Sequence, residues 1–146
     1  MRSFLLGQLA LVLSVAGMIV AAGLLLKAHD TPGGGFVAGI STAFVVVLLI
    51  AARGTPWFRA RVGVAPESLL LVGVGILFAS AFVPVLLGAP AATHGTVTLH
   101  LPLGVEWKLS TTLIFDLGVT ITIASGLASA ILVLWERLVT EERILP

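Results

Sequence analysis

Charged residues are confined to a few short stretches of this chain of 146 residues. Uncharged runs extend from Ser3 to Leu26, Thr31 to Ala52, Ser68 to Val105 and Leu117 to Trp135. A helix of about 20 mostly apolar residues crosses the roughly 30 Å of hydrocarbon in a membrane. Because each run is long enough for one crossing, the pattern predicts an all-α integral membrane protein with four transmembrane helices.

Composition agrees with this prediction. Hydrophobic residues make up 58% of the chain and charged residues 10%, and the mean hydropathy is +1.16. A soluble domain carries roughly 25% charged residues, so this chain has too few charges to cover a water-facing surface. We predict a single membrane domain over residues 1–146, with spans at approximately 4–26, 35–52, 68–88 and 111–135.

The basic residues predict an orientation. Most of them fall at the N-terminus, between the second and third spans, and at the C-terminus: Arg2, Arg53, Arg59, Arg61, Arg137 and Arg143. Only Lys27 and Lys108 fall on the opposite side. Because cytoplasmic segments of membrane proteins are enriched in Lys and Arg, we expect both termini in the cytoplasm.

The connection over residues 89–110 has its own pattern. Apolar residues alternate with others in its second half: Val97, Leu99, Leu101, Leu103, Val105 and Trp107. This period of two is typical of strands, but Pro102 weakens a regular strand. The sequence leaves open a short hairpin and an extended segment lying on the membrane. His94 and His100 are six residues apart, a spacing that fits no helical ligand pair, and we predict no metal site.

The segment from His29 to Phe36 reads His-Asp-Thr-Pro-Gly-Gly-Gly-Phe and is the strongest local motif. Its glycines allow close approach of the backbone to a neighbour, and irregular backbone at membrane depth must be buried in protein or line a wet cavity. The His29 imidazole exchanges protons near neutral pH, and the Asp30 carboxylate suits a hard cation such as Na⁺. The alternative is a plain turn in which Asp30 or Thr31 caps the second helix.

Asp116 lies within the fourth predicted span. A carboxylate at this depth is costly and therefore indicates a function. One alternative is the handling of ions or protons. The other is hydrogen bonding between helices, with the carboxylate stabilised by the positive end of its own helix. The candidate residues for an ion route or for an interface with another subunit are His29, Asp30, Pro32, Gly33, Gly34, Gly35, Phe36 and Asp116.

Small residues predict where helices pack. In the fourth span they recur every four positions: Gly118, Thr122, Gly126 and Ala130. Such residues let helix backbones approach closely in lipid. We therefore predict Gly118 and Gly126 as packing positions. Similar pairs are Gly75 and Ala79 in the third span and Gly35 and Gly39 in the second.

Ionisable residues are nearly absent from the middle of the spans. Proton-coupled transport needs buried ionisable relays, and this chain offers only Asp116 and the edge pair His29 and Asp30. We therefore expect a subunit of a larger assembly. A self-contained four-helix transporter acting as a homodimer is the alternative, although residues 4–26 lack the buried glutamate that it needs. We predict no enzyme and no cofactor, and the net charge of +1 offers no surface for nucleic acid.

Two motifs resemble those of a known family. The segment His29–Phe36 resembles the Pro-Gly-Gly-Gly-Phe signature of the B subunit of Mrp-type multisubunit Na⁺/H⁺ antiporters. Residues Ile114–Val119 are similar to the Leu-Phe-Asp-Ile-Gly-Val pattern of that family's fourth span, and chain length, span number and charge layout agree. The chain departs from the family at Val37–Gly39, where Gln-Gly or Gln-Ala is usual, and at Thr120, where Tyr is frequent.

The resemblance implies a non-catalytic subunit in a bacterial cell membrane. Its partners would be the other Mrp subunits and membrane lipid, and the complex would exchange cytoplasmic Na⁺ for external H⁺. His29, Pro32 and Phe36 match family positions thought to matter for activity. The resemblance leaves open whether the subunit contributes to assembly or also to the Na⁺ or H⁺ route. A homologous subunit of a membrane-bound hydrogenase-type complex is a further alternative.

Overall fold

The computed structural model describes residues 4–27, 34–91, 93, 95–101 and 105–142. In chain order its elements are α1 (Phe4–Lys27), α2 (Gly34–Arg53), α3 (Thr55–Val62), α4 (Pro66–Leu86), β1 (Thr96–Leu101), β2 (Val105–Ser110) and α5 (Thr111–Glu142). The helices α1, α2, α4 and α5 are long and apolar enough to cross a membrane. The prediction of a helical membrane protein with four spans is therefore confirmed.

The last helix extends beyond its predicted span. We expected it to end at residue 135, where the charges begin, but α5 has 32 residues and continues to Glu142. At 1.5 Å per residue it is roughly 48 Å long, more than the hydrocarbon needs. Glu, Arg and Leu follow Trp135, and these residue types favour helix strongly enough to continue it past the apolar stretch.

A short helix, α3, occupies the connection between the second and third spans. Gly54 alone joins α2 to α3, with a φ of 88° that favours glycine. Pro56 lies in the first turn of α3, where a missing N–H costs nothing. Gly63, with a φ of 65°, ends the helix and donates its N–H to the Arg59 carbonyl oxygen at 3.3 Å. The prolines and glycines thus mark helix ends.

The four long helices pack in the order α1, α2, α5, α4. The inner pair, α2 and α5, runs parallel, because Gly35 lies against Asp116, whereas Gly39, one turn further along α2, lies against Thr120 and Ile123 further along α5. The outer helices run antiparallel to their neighbours. On α5, Gly118 and Thr122 face α4 on the side of the helix opposite Asp116.

Most buried side chains are small. In the part of the chain that the structure describes, six alanines are almost fully buried: Ala10, Ala21, Ala38, Ala43, Ala52 and Ala128. Such residues allow the close backbone contacts that associate helices in lipid. Larger side chains form a cluster only where α3 meets the ends of α2 and α5, with Ile50, Phe58 and Leu132 at its centre, as far as the described residues show.

The strands β1 and β2 form an antiparallel hairpin in which Thr96 pairs with Ser110 and Leu101 pairs with Val105. The hairpin alternative for residues 89–110 therefore agrees with the structure. The hairpin continues directly into α5. At its base the Gly95 N–H donates to Thr111 Oγ1 at 2.8 Å, and the Thr111 N–H donates to the Gly95 carbonyl at 3.0 Å.

Candidate functional site at the crossing of α2 and α5

Two glycines of α2 meet the start of α5, and we define the α2–α5 crossing by Gly35, Gly39, Asp116, Thr120 and Ile123. A Cβ atom added at Gly35 would lie 2.6 Å from the Asp116 carbonyl oxygen, 2.7 Å from Asp116 Oδ1 and 2.8 Å from its Cα. Real Cβ contacts do not come this close, so only glycine fits at position 35 without a movement of the helices. Gly39 has similar surroundings, because a Cβ there would lie 2.9 Å from Ile123 Cβ.

A hydroxyl joins the two helices at this point. Thr120 Oγ1 lies 2.9 Å from the Gly35 carbonyl oxygen and 2.8 Å from the Asp116 carbonyl oxygen. Its single proton can be donated to either acceptor. The bond to Gly35 crosses between helices, so Thr120 fixes the start of α2 against α5.

Asp116 is buried, with 8% of its surface exposed. It lies in the second turn of α5, and its Oδ1 atom lies close to Gly35 in the first turn of α2. The first four N–H groups of a helix have no acceptor within the helix, and the N-terminal end of a helix favours negative charge. Because α2 and α5 are parallel, their positive N-terminal ends lie on the same side of the membrane, close to Asp116.

The structure brings together residues from the two sequence motifs. Gly35 and Asp116 are in contact, and Gly34 is the first residue of α2. Phe36 is 54% exposed and does not belong to the crossing. The other candidates, His29, Asp30, Pro32 and Gly33, lie outside the described residues.

The sequence predicted Gly39, with Gly35, as a packing pair of the second span, but it did not indicate that Thr120 belongs to this site. The available signal for Thr120 was spacing: it follows Asp116 by four residues, so the two share one helix face. Thr120 was considered only as a departure from the family pattern. Which face of α2 meets which face of α5 depends on helix rotation, and spacing within one helix does not give it.

The opposite side of α5 packs differently, and we define the α4–α5 crossing by Gly73, Gly118 and Thr122. A Cβ at Gly73 would lie 2.6 Å from Thr122 Oγ1, and one at Gly118 would lie 3.0 Å from Ile76 Cγ2. The Thr122 hydroxyl donates to the Gly118 carbonyl of its own helix at 2.7 Å. The other packing candidate, Gly126, has only ordinary contact, with Leu70 Cδ1 at 3.7 Å from the position of an added Cβ. A Cβ at Gly75 would meet nothing within 4 Å among the described residues.

Comparisons with known proteins agree with the position of these motifs. A family model described as "Domain related to MnhB subunit of Na+/H+ antiporter" matches residues 5–129. That range includes both halves of the α2–α5 crossing.

Two similar proteins illustrate the relationship. The chain is 36% identical over 105 residues to the B subunit of a Na⁺/H⁺ antiporter of Bacillus subtilis, and the match covers 68% of this chain and 70% of that protein. It is 34% identical over 105 residues to the probable A/B subunit of a K⁺/H⁺ antiporter of Rhizobium meliloti. That match covers 72% of this chain but only 10% of the much longer Rhizobium meliloti protein.

Proposed function

This chain belongs to the family of domains related to the MnhB subunit of Na⁺/H⁺ antiporters, and on that premise we propose that it is a non-catalytic membrane subunit of a multisubunit cation/proton antiporter. It works with other subunits of the same complex in a bacterial cell membrane, and Na⁺ and H⁺ are the exchanged ions. The chain contributes to assembly of the complex through its helix surfaces and the segment before α2.

The contact between Gly35 and Asp116 is the observation that supports this proposal most strongly. Gly35 closes the glycine motif, and Asp116 is the buried carboxylate of the second motif. A clash-free contact requires glycine on one side, and Thr120 adds a hydrogen bond between the helices. The two motifs therefore act as one structural unit, in which Asp116 and Thr120 hold the parallel N-termini of α2 and α5 together.

The scarcity of ionisable side chains supports a subunit rather than a complete antiporter. Within the four apolar helices, Asp116 is the one carboxylate in the described ranges that is buried. A proton-coupled exchanger needs several ionisable groups along its path. The cation-coupling groups therefore belong to neighbouring subunits, and this chain supports their arrangement.

The orientation follows from the basic residues. Arg53, Arg59, Arg61 and Arg137 are on the side where α2 ends, and this side is cytoplasmic under the positive-inside rule. The α2–α5 crossing then lies near the outer face of the membrane, below the hairpin of β1 and β2. Both termini are cytoplasmic.

Affinity purification tests whether the chain is part of such a complex. The tagged chain is extracted from native membranes in a mild detergent, and the proteins that accompany it are identified by mass spectrometry. An unrelated tagged four-helix membrane protein, expressed at the same level, is the control. Several large hydrophobic partners that are missing from the control are expected. A homodimer without partners would contradict the proposal and favour a small self-contained transporter, whereas hydrogenase subunits would assign the chain to that kind of complex.

Phe36→Ala tests the surface next to the crossing. The Phe36 side chain is 54% exposed, so its removal leaves packing within this chain largely unchanged. If the Phe36 side chain contacts a neighbouring subunit, Na⁺/H⁺ exchange in membrane vesicles should fall about three- to tenfold in the variant, while membrane insertion is retained. Such a fall corresponds to a lost contact free energy of roughly 0.7–1.4 kcal/mol. Phe44→Ala is the matched control, because Phe44 is 71% exposed on the same helix. Exchange by Phe36→Ala that equals exchange by Phe44→Ala and by the unsubstituted chain would show that Phe36 has no such contact.

A further inference from the structure

The two faces of the hairpin of β1 and β2 differ in composition. Adjacent positions of a strand lie on opposite faces, and residues that pair directly across antiparallel strands lie on the same face. The register therefore places six apolar residues on one face, which we call the apolar hairpin face: Val97, Leu99, Leu101, Val105, Trp107 and Leu109. The other face holds the remaining residues of the strands, all of them polar: Thr96, Thr98, His100, Glu106, Lys108 and Ser110.

No helix of the chain packs along this hairpin within the described ranges. The strands contact each other, and β2 contacts α5, the helix into which it continues. Exposure of an apolar surface of this size to water is unfavourable. The apolar hairpin face therefore needs a partner from outside the chain.

The hairpin begins at the membrane boundary, because β2 ends at Ser110 and α5 starts at Thr111 without a linker. The first charged residue beyond Asp116 on α5 is Glu136, and a charged side chain at a helix end belongs among headgroups or in water. At 1.5 Å per residue, the stretch from Thr111 to Trp135 is roughly 36 Å long, against about 30 Å of hydrocarbon. Thr111 therefore lies within roughly 6 Å of the hydrocarbon.

Both strands are attached at this level. The Gly95 N–H donates to Thr111 Oγ1 at 2.8 Å, and the Thr111 N–H donates to the Gly95 carbonyl oxygen at 3.0 Å. The start of β1 is thus bonded to the first residue of α5. On the other side of the connection, α4 ends at Leu86, and the side chains of Leu86 and Leu87 are 85% and 81% exposed. The apolar surface that α4 presents to lipid therefore continues towards the hairpin.

We propose that the hairpin lies along the membrane surface, with the apolar hairpin face at the boundary between the headgroups and the acyl chains of the adjoining leaflet. The lipid bilayer is the apolar partner that the spanning helices already place beside the hairpin. Amphipathic helices bind lipid in this way, and this hairpin has the same division into an apolar and a polar face.

Two further properties of the hairpin agree with this position. Trp107 belongs to a residue type that is enriched at membrane interfaces. The free edges of a two-stranded hairpin need water or headgroups as partners for their N–H and C=O groups, so the hairpin stays out of the hydrocarbon itself. This inference does not depend on the proposed transport function.

Spin labels on two neighbouring residues test the proposal. The chain has no cysteine, so Leu99→Cys and Thr98→Cys each provide one labelling site, the first on the apolar face and the second on the polar face. Each full-length variant is purified, labelled with a nitroxide and reconstituted in phosphatidylcholine nanodiscs. Electron paramagnetic resonance then measures collisions of the label with oxygen, which concentrates in lipid, and with a water-soluble nickel chelate. We expect the chelate to reach position 99 about fivefold less than position 98, and oxygen to reach position 99 more.

Ile114→Cys is the control for lipid exposure, because Ile114 is 47% exposed near the start of α5. Position 99 should resemble this control, and position 98 should not. Equal access of the chelate to positions 98 and 99 would show that the hairpin projects into water, and it would overturn the proposal. Low access of both oxygen and the chelate to position 99 would show that protein, such as a second copy of the chain, covers the apolar hairpin face, and it would also overturn the proposal.

The same comparison on β2 uses Trp107→Cys and Lys108→Cys. The chelate should reach position 107 about fivefold less than position 108. This second pair keeps the test decisive where a substitution on β1 disturbs its own strand. Absence of the alternation from both strands would contradict the assignment.

Discussion

The two crossings of α5 use similar residues to different effect. Both depend on glycines and both include a threonine. At the α2–α5 crossing, the Thr120 hydroxyl reaches the Gly35 carbonyl of the other helix, and a buried carboxylate lies beside it. At the α4–α5 crossing, the Thr122 hydroxyl bonds to the Gly118 carbonyl of its own helix. Further along α5, the hydroxyls of Ser125 and Ser129 also donate to carbonyls of their own helix.

This difference separates general packing from a specific junction. A hydroxyl that is satisfied within its own helix allows close approach but does not select a partner. A hydrogen bond between helices, next to a buried charge at two positive helix ends, requires one particular alignment. The α2–α5 crossing therefore fixes the alignment of α2 and α5. The α4–α5 crossing holds α4 only through the close fit of its side chains and backbone against α5.

Glycine-to-alanine substitutions should separate Gly35 from Gly118 most strongly, whereas Gly73 resembles Gly35, because a Cβ there would also meet a backbone atom, the Thr122 nitrogen, at 2.8 Å. In Gly35→Ala the new Cβ meets backbone atoms of Asp116, so the helices must move apart, and the free energy of unfolding should fall by about 1–3 kcal/mol. In Gly118→Ala the nearest atoms belong to the side chains of Ile76 and Leu77, which can adjust, so the loss should stay below about 1 kcal/mol. Unfolding in mixed micelles, followed by tryptophan fluorescence, measures both.

Gly75→Ala is the control for these variants, because a Cβ at Gly75 meets no described atom within 4 Å. It should be neutral or slightly stabilising, since alanine favours helix by about 1 kcal/mol over glycine. Equal destabilisation by Gly35→Ala and Gly118→Ala would remove the distinction between backbone and side-chain contacts.

Removal of the buried charge should have the next largest effect. Asp116→Asn keeps the size of the side chain but removes the negative charge at the two helix ends, a loss of up to about 2 kcal/mol in a buried geometry. We expect the complex to assemble and to keep part of its Na⁺/H⁺ exchange, with a milder loss than deletion of the whole chain. Vesicle exchange and affinity purification, measured together, check this. An assembled but inactive complex would instead assign Asp116 to ion handling.

A matched pair of threonine variants tests the hydrogen bond between helices. Thr120→Val removes the bond to Gly35 and should cost about 0.6 kcal/mol and at most about 1.7 kcal/mol, as for other hydrogen bonds between membrane helices. Thr122→Val removes only a bond within α5 and should change stability by less than about 0.5 kcal/mol. Both can be measured by the same unfolding assay, and a larger effect of Thr122→Val would reverse the comparison.

The smallest effect is expected beyond both crossings, where Arg59 of α3 pairs with Glu136. Both side chains are nearly half exposed, at 48% and 46%, and solvent screens such pairs. A double-mutant cycle with Arg59→Gln and Glu136→Gln should give a coupling free energy below about 1 kcal/mol that decreases with added salt. A coupling free energy larger than the destabilisation by Thr120→Val would show that the contact of α3 with α5 is stronger than the hydrogen bond at the α2–α5 crossing.

Much of the fold followed from where charges are absent. The cost of placing charged side chains in hydrocarbon restricts the spans to the uncharged runs, so the four long helices could be predicted to within a few residues, except at the end of α5. The alternation from Val97 to Trp107 indicated the hairpin as one of two alternatives. Helix α3 was not predicted, because it is short and contains Pro56, although a proline in the first turn is compatible with helix.

The sequence by itself determined the spans and the presence of two unusual motifs, because hydrophobicity and backbone freedom are properties of local residue types. Only the tertiary structure decided that Gly35 meets Asp116, that Thr120 joins them, and that Gly73 packs tightly while Gly75 has open space around it among the described residues. Such contacts depend on the rotation and alignment of one helix against another. The sum of many small packing interactions sets that alignment, and no single residue encodes it.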